Sequence, residues 1–411
     1  MAEIKPFCAI RPADGLAERI GALPYDVYNR EEARKAALKD PLSFLNIDRP
    51  ETQFEAGHDM YAPEVYQKAH DLLWGMVREG KFIQDETPCY YLYALTMNGR
   101  TQTGIVACAS IDDYQNGVIR KHENTRAEKE EDRIRHVDAC DAQTGPIFLA
   151  YRKDETLEAV VRRAKEKAPL FDFTSEDGVT HQGWIICEEA EKRIIEETFA
   201  GIGRIYIADG HHRAASAVKV GLKRRREHPE YDGSEPFHYF LSVLFPDEEL
   251  MIMDYNRVVK DLNGLTEKEF LAKIGKKCVV TREEEAVRPT EKGTMGMYLK
   301  NRWFRLEMKP EYRRDDPVEG LDVSFLQREI LRPVLDIRDP KTDNRIDFIG
   351  GIRGLGELER RVHKDCSVAF AMYPTSIGEL FDVADAGKLM PPKSTWFEPK
   401  LRSGLFLHAL K

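Results

Sequence analysis

The stretch that decides the fold of this chain is an apolar run that ends in a charged turn, Ile205-Tyr206-Ile207-Ala208-Asp209-Gly210-His211-His212-Arg213-Ala214-Ala215. The β-branched and aromatic residues before the turn are typical of a buried strand. Gly210 breaks that run and the alanines after it favour helix, so we expect a helix over about residues 211–220. The stretch therefore predicts an α/β fold with a strand-to-helix turn.

The turn has the chemistry of an anion-binding site. A helix N-terminus presents free N–H groups and a partial positive charge. Gly210 lets a phosphate approach the backbone closely, and Arg213 suits bidentate phosphate contacts. His211 and His212 add donors where cations are normally disfavoured, which favours an anionic ligand. The alternatives are a helix cap at Asp209 with incidental histidines, or a metal site, which adjacent and diverging helical residues disfavour.

Two further segments carry candidate residues. The first is Arg120-Lys121-His122-Glu123-Asn124-Thr125-Arg126, where a carboxylate between cations suits a base, a metal ligand or phosphate contacts, or else a solvated loop. The second is a proline-rich loop near residue 395, which either binds an anion or packs for stability alone. Its anion-binding residue types are Lys393, Ser394, Thr395 and Lys400. Weaker candidates near the N-terminus are Asp26, Ser43 and Asn46.

The composition excludes several classes of protein. The chain has 411 residues, of which 42% are hydrophobic and 32% charged, the balance of a water-soluble globular protein. A net charge of −9 disfavours nucleic acid as a partner. No run approaches the ~20 apolar residues of a membrane span, and residues 1–12 lack the apolar core that is typical of a signal peptide. The seven cysteines show no CxxC spacing, so we expect reduced thiols in a cytoplasmic chain.

Local patterns organise the rest of the chain. Apolar spacing predicts a helix over residues 62–79, and Asn98-Gly99 predicts a hairpin between strands at 89–97 and 104–111. The character of the sequence changes after residue 255. We therefore expect a core domain over 1–255 and an α+β region over 256–411 that contributes the proline-rich loop to the site.

Five strings together resemble a known family. In chain order they are Ile4-Lys5-Pro6-Phe7, Ala22-Leu23-Pro24-Tyr25-Asp26-Val27, Lys121-His122-Glu123, Ala208-Asp209-Gly210-His211-His212-Arg213 and Met390-Pro391-Pro392-Lys393-Ser394-Thr395. The pattern resembles a prokaryotic domain-of-unknown-function family, number ten-fifteen. Its Asp-Gly-His-His-Arg element is similar to the nucleotide-phosphate motif of the ParB/sulfiredoxin superfamily, which includes free serine kinases. The resemblance implies a ParB/sulfiredoxin-like mixed-sheet core with N-terminal and C-terminal additions.

Within that superfamily, the free serine kinases are most similar to the motif. Sulfiredoxins need a cysteine beside the arginine of the turn, where this chain has His212, and ParB domains lead into DNA-binding helices without clear equivalent here. The resemblance thus implies a cytoplasmic kinase that uses ATP or ADP with Mg²⁺. Its acceptor would be free L-serine, giving O-phosphoserine, or a similar small hydroxy compound. We expect no nucleic-acid or membrane partner, and an oligomer is possible.

The same resemblance suggests roles for individual residues. The nucleotide would be held by Gly210, His211, His212, Arg213, Lys121 and Arg126. Asp209, Glu123 and His211 would be catalytic, with Asp209 and Glu123 also near Mg²⁺. The substrate would contact His122, Lys393, Ser394 and Thr395. Two alternatives stay open: a ParB-like regulatory module that binds nucleotide without turnover, and a metal-assisted hydrolase or phosphatase using His122, Glu123, Asp209 and His211.

Overall fold

The chain divides into two compact units. The computed structural model describes residues 1–125 and 127–411. The first unit comprises Met1–Leu250 and Pro399–Lys411, and the second comprises Met251–Glu398. The single boundary expected near residue 255 is thus replaced by two, because the end of the chain returns to the first unit. There His408–Ala409 pairs with Ala142–Gln143.

The regular elements follow one another in short segments. The strands are β1 Ile4–Lys5, β2 Ile10–Pro12, β3 Phe82–Gln84, β4 Tyr90–Met97, β5 Arg100–Ser110, β6 Ile119–Arg120, β7 Ala142–Gln143, β8 Ile147–Tyr151, β9 Phe171–Thr174, β10 Thr180–Ile186, β11 Ile205–Asp209, β12 Tyr239–Pro246, β13 Ile252–Met253, β14 Tyr255–Val259, β15 Cys278–Glu283, β16 Thr294–Leu299, β17 Arg302–Met308, β18 Ile346–Gly350, β19 Val368–Met372, β20 Trp396–Phe397 and β21 His408–Ala409. The helices are α1 Ala17–Ile20, α2 Arg30–Lys39, α3 Leu45–Asp48, α4 Pro63–Arg78, α5 Ile111–Gln115, α6 Ala127–Cys140, α7 Glu155–Lys165, α8 Glu189–Gly201, α9 His211–Glu227, α10 Glu267–Ile274, α11 Asp322–Phe325, α12 Leu355–Lys364 and α13 Ile377–Asp385.

A mixed sheet forms the centre of the first unit. Its strand order is β6-β11-β8-β12-β5-β4-β10-β9, with β1 added to β5. The strand β11 runs parallel to β6 and antiparallel to β8, and β8 runs parallel to β12. Apolar side chains of the sheet and of α7, α8 and α9 form a shared buried cluster. The predicted α/β class with a mixed-sheet core is confirmed.

Two local predictions agree closely with the structure. The strands β4 and β5 form the expected hairpin, with φ of 52° at Asn98 and 77° at Gly99, the left-handed region that such a turn requires. The helix predicted over residues 62–79 is α4, Pro63–Arg78.

The helix after the charged turn is longer than predicted. It runs to Glu227 rather than to about residue 220. The basic residues near the end of this helix form ion pairs with carboxylates of neighbouring helices. Lys223 and Arg224 bind Asp138 of α6, and Arg225 binds Asp112 of α5. Because these ion pairs and the helix dipole both favour cations at a C-terminus, the last turns remain helical.

The expectation of reduced thiols is wrong for one pair of cysteines. Cys89 and Cys187 form a disulfide with a Cα–Cα distance of 4.7 Å. The reason is strand register: Tyr90 of β4 faces Ile186 of β10, so the cysteines just beyond these residues face each other too. A sequence separation of 98 residues hides this proximity from any spacing rule. The free cysteines are Cys8, Cys108, Cys140, Cys278 and Cys366.

The second unit is built on an antiparallel sheet. The strand order is β15-β17-β16-β19-β14-β18, and β13 and β20 form a separate two-stranded ribbon. Leu358 of α12 packs with Val258, Tyr298 and Ala369 in the core against this sheet. Across residues 1–125 and 127–411, no helix has both the length and the apolar content to span a membrane.

Candidate functional site

The strand-to-helix turn at residues 209–213 forms around a glycine in the left-handed region. The register of β11 against β8 shifts between Ile207 and Asp209, and Gly210 has φ of 91°. A Cβ at Gly210 would lie 3.0 Å from the guanidinium of Arg213, so both backbone conformation and space favour glycine. The helix α9 begins at His211, and its first N–H groups have no partners within the helix. The turn therefore offers backbone donors and a positive helix end to an anion.

A second loop lies beside this turn because of strand pairing. Ile119 and Arg120 of β6 face Ile205 and Tyr206 of β11 in parallel. The 121–125 loop therefore leaves the same edge of the sheet as the 209–213 turn. A direct contact joins them, since the N–H of His122 donates to Nε2 of His211 at 3.5 Å.

The 121–125 loop is also fixed from the side of the helices. Glu130 of α6 is buried and accepts hydrogen bonds from Thr125 of the loop and from Lys219 of α9. Burial raises the pKa of Glu130, but the bonds from Lys219 and Thr125 outweigh it and lower the pKa overall. A charged Glu130 thus holds the loop against α9.

His122 and His211 are neutral imidazoles, although His211 was expected to be a cationic donor. The rings of His122 and His211 meet edge to face, with centroids 4.5 Å apart, and the side chains are only 2% and 7% exposed. Burial lowers the pKa of His122 to about 4 and lowers that of His211 well below its ordinary value. His211 therefore adds no positive charge at neutral pH, contrary to the expectation from its position in the first helical turn. Burial of His122 also closes its ring to a substrate in this conformation.

The carboxylate of Asp209 lies between two cations. Its Oδ2 is 3.2 Å from Nη2 of Arg213 and 3.8 Å from Nζ of Lys400. The side chain of Asp209 is 35% exposed, whereas those of Arg213 and Lys400 are 12% and 15% exposed. Arg213 also donates from Nη1 to the carbonyl oxygen of Pro146 at 2.5 Å. A fixed guanidinium and a fixed ammonium therefore flank the one partly exposed carboxylate of the turn.

Lys400 reaches the turn from the returning C-terminal segment. Two residues further on, Arg402 ion-pairs with Asp177 at 2.5 Å and donates to Ser175 at 3.0 Å. The backbone of Ser403 pairs with that of Ala22. These contacts fix the segment on the first unit, so the position of Lys400 is set by its neighbours. Sequence analysis named Lys400 only as an anion-binding residue type of the loop, without this partner.

A narrow polar cavity adjoins Arg213 and was missed by sequence analysis. Its wall includes Tyr25, Asp48, Arg133, Thr144, Arg213 and Ser403. The guanidinium of Arg133 lies 4.1 Å from the ring centroid of Tyr25 and ion-pairs with Asp132 at 3.0 Å. Asp48 accepts a hydrogen bond of 2.9 Å from Thr144. Burial raises the pKa of Tyr25 to about 12, so its hydroxyl remains a donor at neutral pH.

A wider cleft shares a wall with this cavity. It has a volume of about 220 Å³ and is also lined by Tyr25 and Arg133, together with Asp26, Glu51 and Lys129. Of the polar residues around the two cavities, Tyr25, Asp26 and Arg213 lie in strings that the sequence had singled out. Asp48 and Arg133 lie on α3 and α6, far apart in the chain, and no spacing relates them to the turn.

The remaining candidates have ordinary structural environments or lie elsewhere. Lys121 is exposed and Glu123 half-buried in the 121–125 loop, while Arg126 lies outside the described residues. Asn46 is buried and donates to the carbonyl oxygens of Asp40 and Ser43, which gives it a structural role.

The three loop candidates Lys393, Ser394 and Thr395 belong to the second unit. There Ser394 donates to the carbonyl oxygen of Pro391 at 2.7 Å, and its own carbonyl oxygen accepts from Thr375 at 3.0 Å. Nζ of Lys393 lies 5.7 Å from the ring centroid of Tyr255. These contacts order the loop within its own unit.

The first unit is thus a mixed α/β domain whose helix-start turn combines backbone donors, flanking cations and a carboxylate. The chain belongs to a protein family of unknown function, DUF1015, which matches residues 4–324. No curated protein matches the chain.

Solved structures with a similar chain path include a mutant free serine kinase in complex with ADP. It has 15% sequence identity and a TM-score of 0.40, with 74% of this chain and 92% of that chain covered. A conserved hypothetical protein from Pyrococcus furiosus has 15% identity and a TM-score of 0.37, covering 74% and 95% of the two chains. The C-terminally truncated SbnI from Staphylococcus aureus has 12% identity and a TM-score of 0.39, covering 74% and 87%.

Proposed function

We propose that this protein is a kinase that transfers a phosphoryl group from ATP or ADP to the hydroxyl of free L-serine or a similar small hydroxy compound. The observation that carries the proposal is the position of Asp209. Its partly exposed carboxylate lies at the start of a helix, between the side chains of Arg213 and Lys400. Phosphoryl transfer requires such a combination of fixed positive charge and a proton acceptor, and little covalent chemistry.

The nucleotide phosphates would bind at the 209–213 turn. Gly210 lets the guanidinium of Arg213 lie close to the backbone of the turn, and the N–H groups of the first turn of α9 would face the phosphates. Arg213 supplies a planar fork that is already oriented by its bond to Pro146. We assign further phosphate contacts to His212 and Lys121, with Lys400 as an addition that the structure suggests. Arg126 remains in the proposal from the sequence alone.

The acceptor hydroxyl would be activated by Asp209. The hydroxyl oxygen of the acceptor would attack the terminal phosphorus of the nucleotide, and the bond from that phosphorus to the bridging oxygen would break. The hydroxyl proton would move to the carboxylate of Asp209. Glu123 would share this work from the neighbouring loop. His211 is a buried neutral imidazole that accepts the N–H of His122, so its role is to position the 121–125 loop rather than to carry charge.

We assign a Mg²⁺ ion to Asp209 and Glu123, as the sequence suggested. Mg²⁺ keeps several waters and needs only one or two carboxylates when substrate phosphates supply the other oxygens. Bound there, the ion would neutralise charge on the phosphates of the nucleotide. In the described residues no cluster of three or more histidine, cysteine or acidic side chains forms a ready metal site.

We assign the acceptor to the place where the narrow cavity beside Arg213 adjoins the cleft of about 220 Å³, because the narrow cavity alone, at about 30 Å³, has room for little more than water. Asp48 offers a carboxylate for an ammonium group, and Arg133 offers a guanidinium for a carboxylate, which together match the two charged groups of a free amino acid. Lys393, Ser394 and Thr395 remain proposed substrate contacts from the sequence. We leave His122 out of the proposed substrate contacts, because this residue is only 2% exposed.

The test is a screen of ATP, ADP and CTP against a panel of hydroxy amino acids, with phosphorylated product detected by mass. A kinase gives one nucleotide-dependent product whose mass exceeds that of the acceptor by one phosphoryl group. Nucleotide binding in calorimetry without any product would instead favour the regulatory module. Release of inorganic phosphate that requires a transition metal and no acceptor would favour the hydrolase. Asp14→Asn, at an exposed carboxylate of the same unit, is the matched control for Asp209→Asn.

A further inference from the structure

A cleft in the second unit has no role in the proposed reaction. It has a volume of about 280 Å³ and lies where residues 292–293 approach the segment before α11. Its polar wall includes Asp322, Lys292, Arg313 and Arg314, and its apolar wall Met308 and Tyr312. Glu319 also lines the cleft, but its carboxylate is ion-paired with Arg328 at 2.5 Å. The volume is near the lower end of the range found for small-molecule pockets.

Asp322, one of the residues that line this cleft, has an unsatisfied carboxylate oxygen. Asp322 is only 7% exposed, and its Oδ2 accepts the N–H of Gly293 at 2.9 Å. Its Oδ1 is buried and has no hydrogen-bond partner within residues 1–125 and 127–411. Buried polar groups are nearly always paired, so an orphaned acceptor in a cavity wall calls for a donor from a ligand. Burial also raises the pKa of Asp322 to about 6, which agrees with a carboxyl group that lacks a donor.

The mouth of the cleft carries the opposite charge. Arg313 and Arg314 are both exposed, and neither forms an ion pair with another described residue. Within the described part of the chain, Arg314 donates only to the carbonyl oxygens of Glu311 and Arg313. Lys292, by contrast, is occupied by an ion pair with Glu379 at 2.6 Å. Two guanidinium groups are therefore available to an anion at the rim, above an acceptor in the wall.

We infer that this cleft binds a free α-amino acid. The ammonium group would donate to Oδ1 of Asp322, and the carboxylate would contact Arg313 and Arg314 as a planar acceptor for their forks. Met308 and Tyr312 would pack against the side chain of the ligand. A ligand with only one charged group would satisfy one wall and leave the other unmatched. The inference does not depend on the proposed kinase activity, because it uses residues of the second unit alone.

The test is calorimetric titration of the full-length protein, without nucleotide, with a panel of free L-amino acids. For the tightest binder, two analogues follow: the amine that lacks its carboxylate and the hydroxy acid that lacks its ammonium group. We expect each analogue to bind at least about tenfold more weakly than the amino acid, since each loses a charge-assisted contact. A hydroxy acid that binds as well as the amino acid would overturn the inference.

Variants locate the binding. Asp322→Asn can still accept the N–H of Gly293 but loses its charge, so affinity should fall about tenfold or more. The double variant Arg313→Gln with Arg314→Gln changes only exposed side chains, and it should weaken binding similarly even if Asp322→Asn fails to fold. Arg338→Gln, at a 79% exposed arginine of the same unit, is the control and should bind normally. Arg213→Lys in the first unit should also leave this binding unchanged.

Four further results would reject the inference. One is a panel in which no amino acid binds. Another is binding that survives both the Asp322 and the double arginine variants. The third is binding that Arg213→Lys abolishes, which would place the amino acid at the first unit instead and would support the proposed kinase site alone. A titration with Mg²⁺ or Ca²⁺ that depends on Asp322 in place of any amino acid would also overturn it.

Discussion

Asp209 in the first unit and Asp322 in the second are carboxylates with opposite environments. Asp209 is 35% exposed and has Arg213 and Lys400 within 4 Å of one oxygen, at 3.2 and 3.8 Å. Asp322 is 7% exposed, has one backbone donor, and keeps one buried oxygen without a partner. The first has opposite charges to stabilise its anion. The second is costly to ionise until a donor arrives. Under the two proposals, the first carboxylate would take part in a reaction and the second would bind a ligand.

The largest expected effect concerns Asp209. Asp209→Asn keeps the size of the side chain but cannot take a proton, so turnover should fall by about two orders of magnitude or more. Nucleotide should still bind, and more tightly if the carboxylate repels the phosphates. Product formation by mass and nucleotide binding by calorimetry measure the two effects separately. Near-normal product formation would show that Asp209 is not the proton acceptor of the reaction. The regulatory module would then be the better proposal.

Glu123→Gln sharpens the same test. If Glu123 shares the work of Asp209, the double variant should lose less activity than the product of the two single losses, because groups that act as a unit are not additive. Independent, multiplicative losses would show that Glu123 acts elsewhere. Asp14→Asn should retain full activity and exclude a general effect of removing a negative charge.

The second prediction concerns pH, which should act with opposite sign near the two carboxylates. Burial lowers the pKa of His122 to about 4, so its contribution to stability is complete above the unfolded value near 6.5 and is lost as pH falls toward 4. Burial raises the pKa of Asp322 to about 6, so its contribution is complete below the unfolded value near 3.9 and is lost as pH rises through 6. Acidification therefore lowers the free energy of unfolding through His122 and raises it through Asp322.

Urea unfolding at pH 7 and pH 5 measures these contributions. His122→Gln should reduce the loss of unfolding free energy on acidification by about 1.4 kcal/mol for each pH unit between 6.5 and 5. Asp322→Asn should change the pH dependence in the other direction. His70→Gln, at a partly exposed histidine of α4, serves as the control. Equal pH profiles for the wild type and His122→Gln would show that His122 is not buried as a neutral ring.

These environments explain what the sequence could and could not predict. The Asn98-Gly99 hairpin, the helix α4 and the turn around Gly210 depend on neighbouring residues, and all three are found as predicted. The α/β pattern of the sequence predicts the fold class but not the order of the strands. What the sequence misjudged depends on burial, since the position of His211 suggested a cation whereas its packing against His122 makes it neutral.

The sequence also could not predict contacts between segments that are far apart in the chain. The Cys89–Cys187 disulfide follows from the pairing of β4 with β10, which the sequence does not display. Lys400 lies beside Asp209 only because the chain end returns to the first unit. Arg133 and Asp48 reach the cavity next to Arg213 from α6 and α3. In each case the residue type was visible, but its partner was set by tertiary structure.

The third prediction compares the two cations of Asp209, beginning with the stronger. Arg213→Lys retains the positive charge but loses the planar fork and the bond to the carbonyl oxygen of Pro146. Nucleotide affinity should therefore fall about tenfold. Calorimetry with ATP and ADP gives the measurement. Unchanged affinity would remove Arg213 from the phosphate site, and the 209–213 turn would then have to bind through its backbone alone.

The smallest effect is expected at Lys400. Its Nζ is 3.8 Å from Asp209, further than Nη2 of Arg213 at 3.2 Å, and an ammonium lacks a fork that fixes its direction. Lys400→Gln should therefore weaken nucleotide binding only about threefold, with the segment held in place by Arg402 and Asp177. Lys411→Gln, at an exposed lysine of the same segment, is the matched control. A loss at Lys400 as large as that of Arg213→Lys would mean that the ammonium contacts the phosphates directly. No loss at all would mean that Lys400 pairs with Asp209 but does not bind the nucleotide. Of the two cations beside Asp209, Arg213 alone would then bind the phosphates.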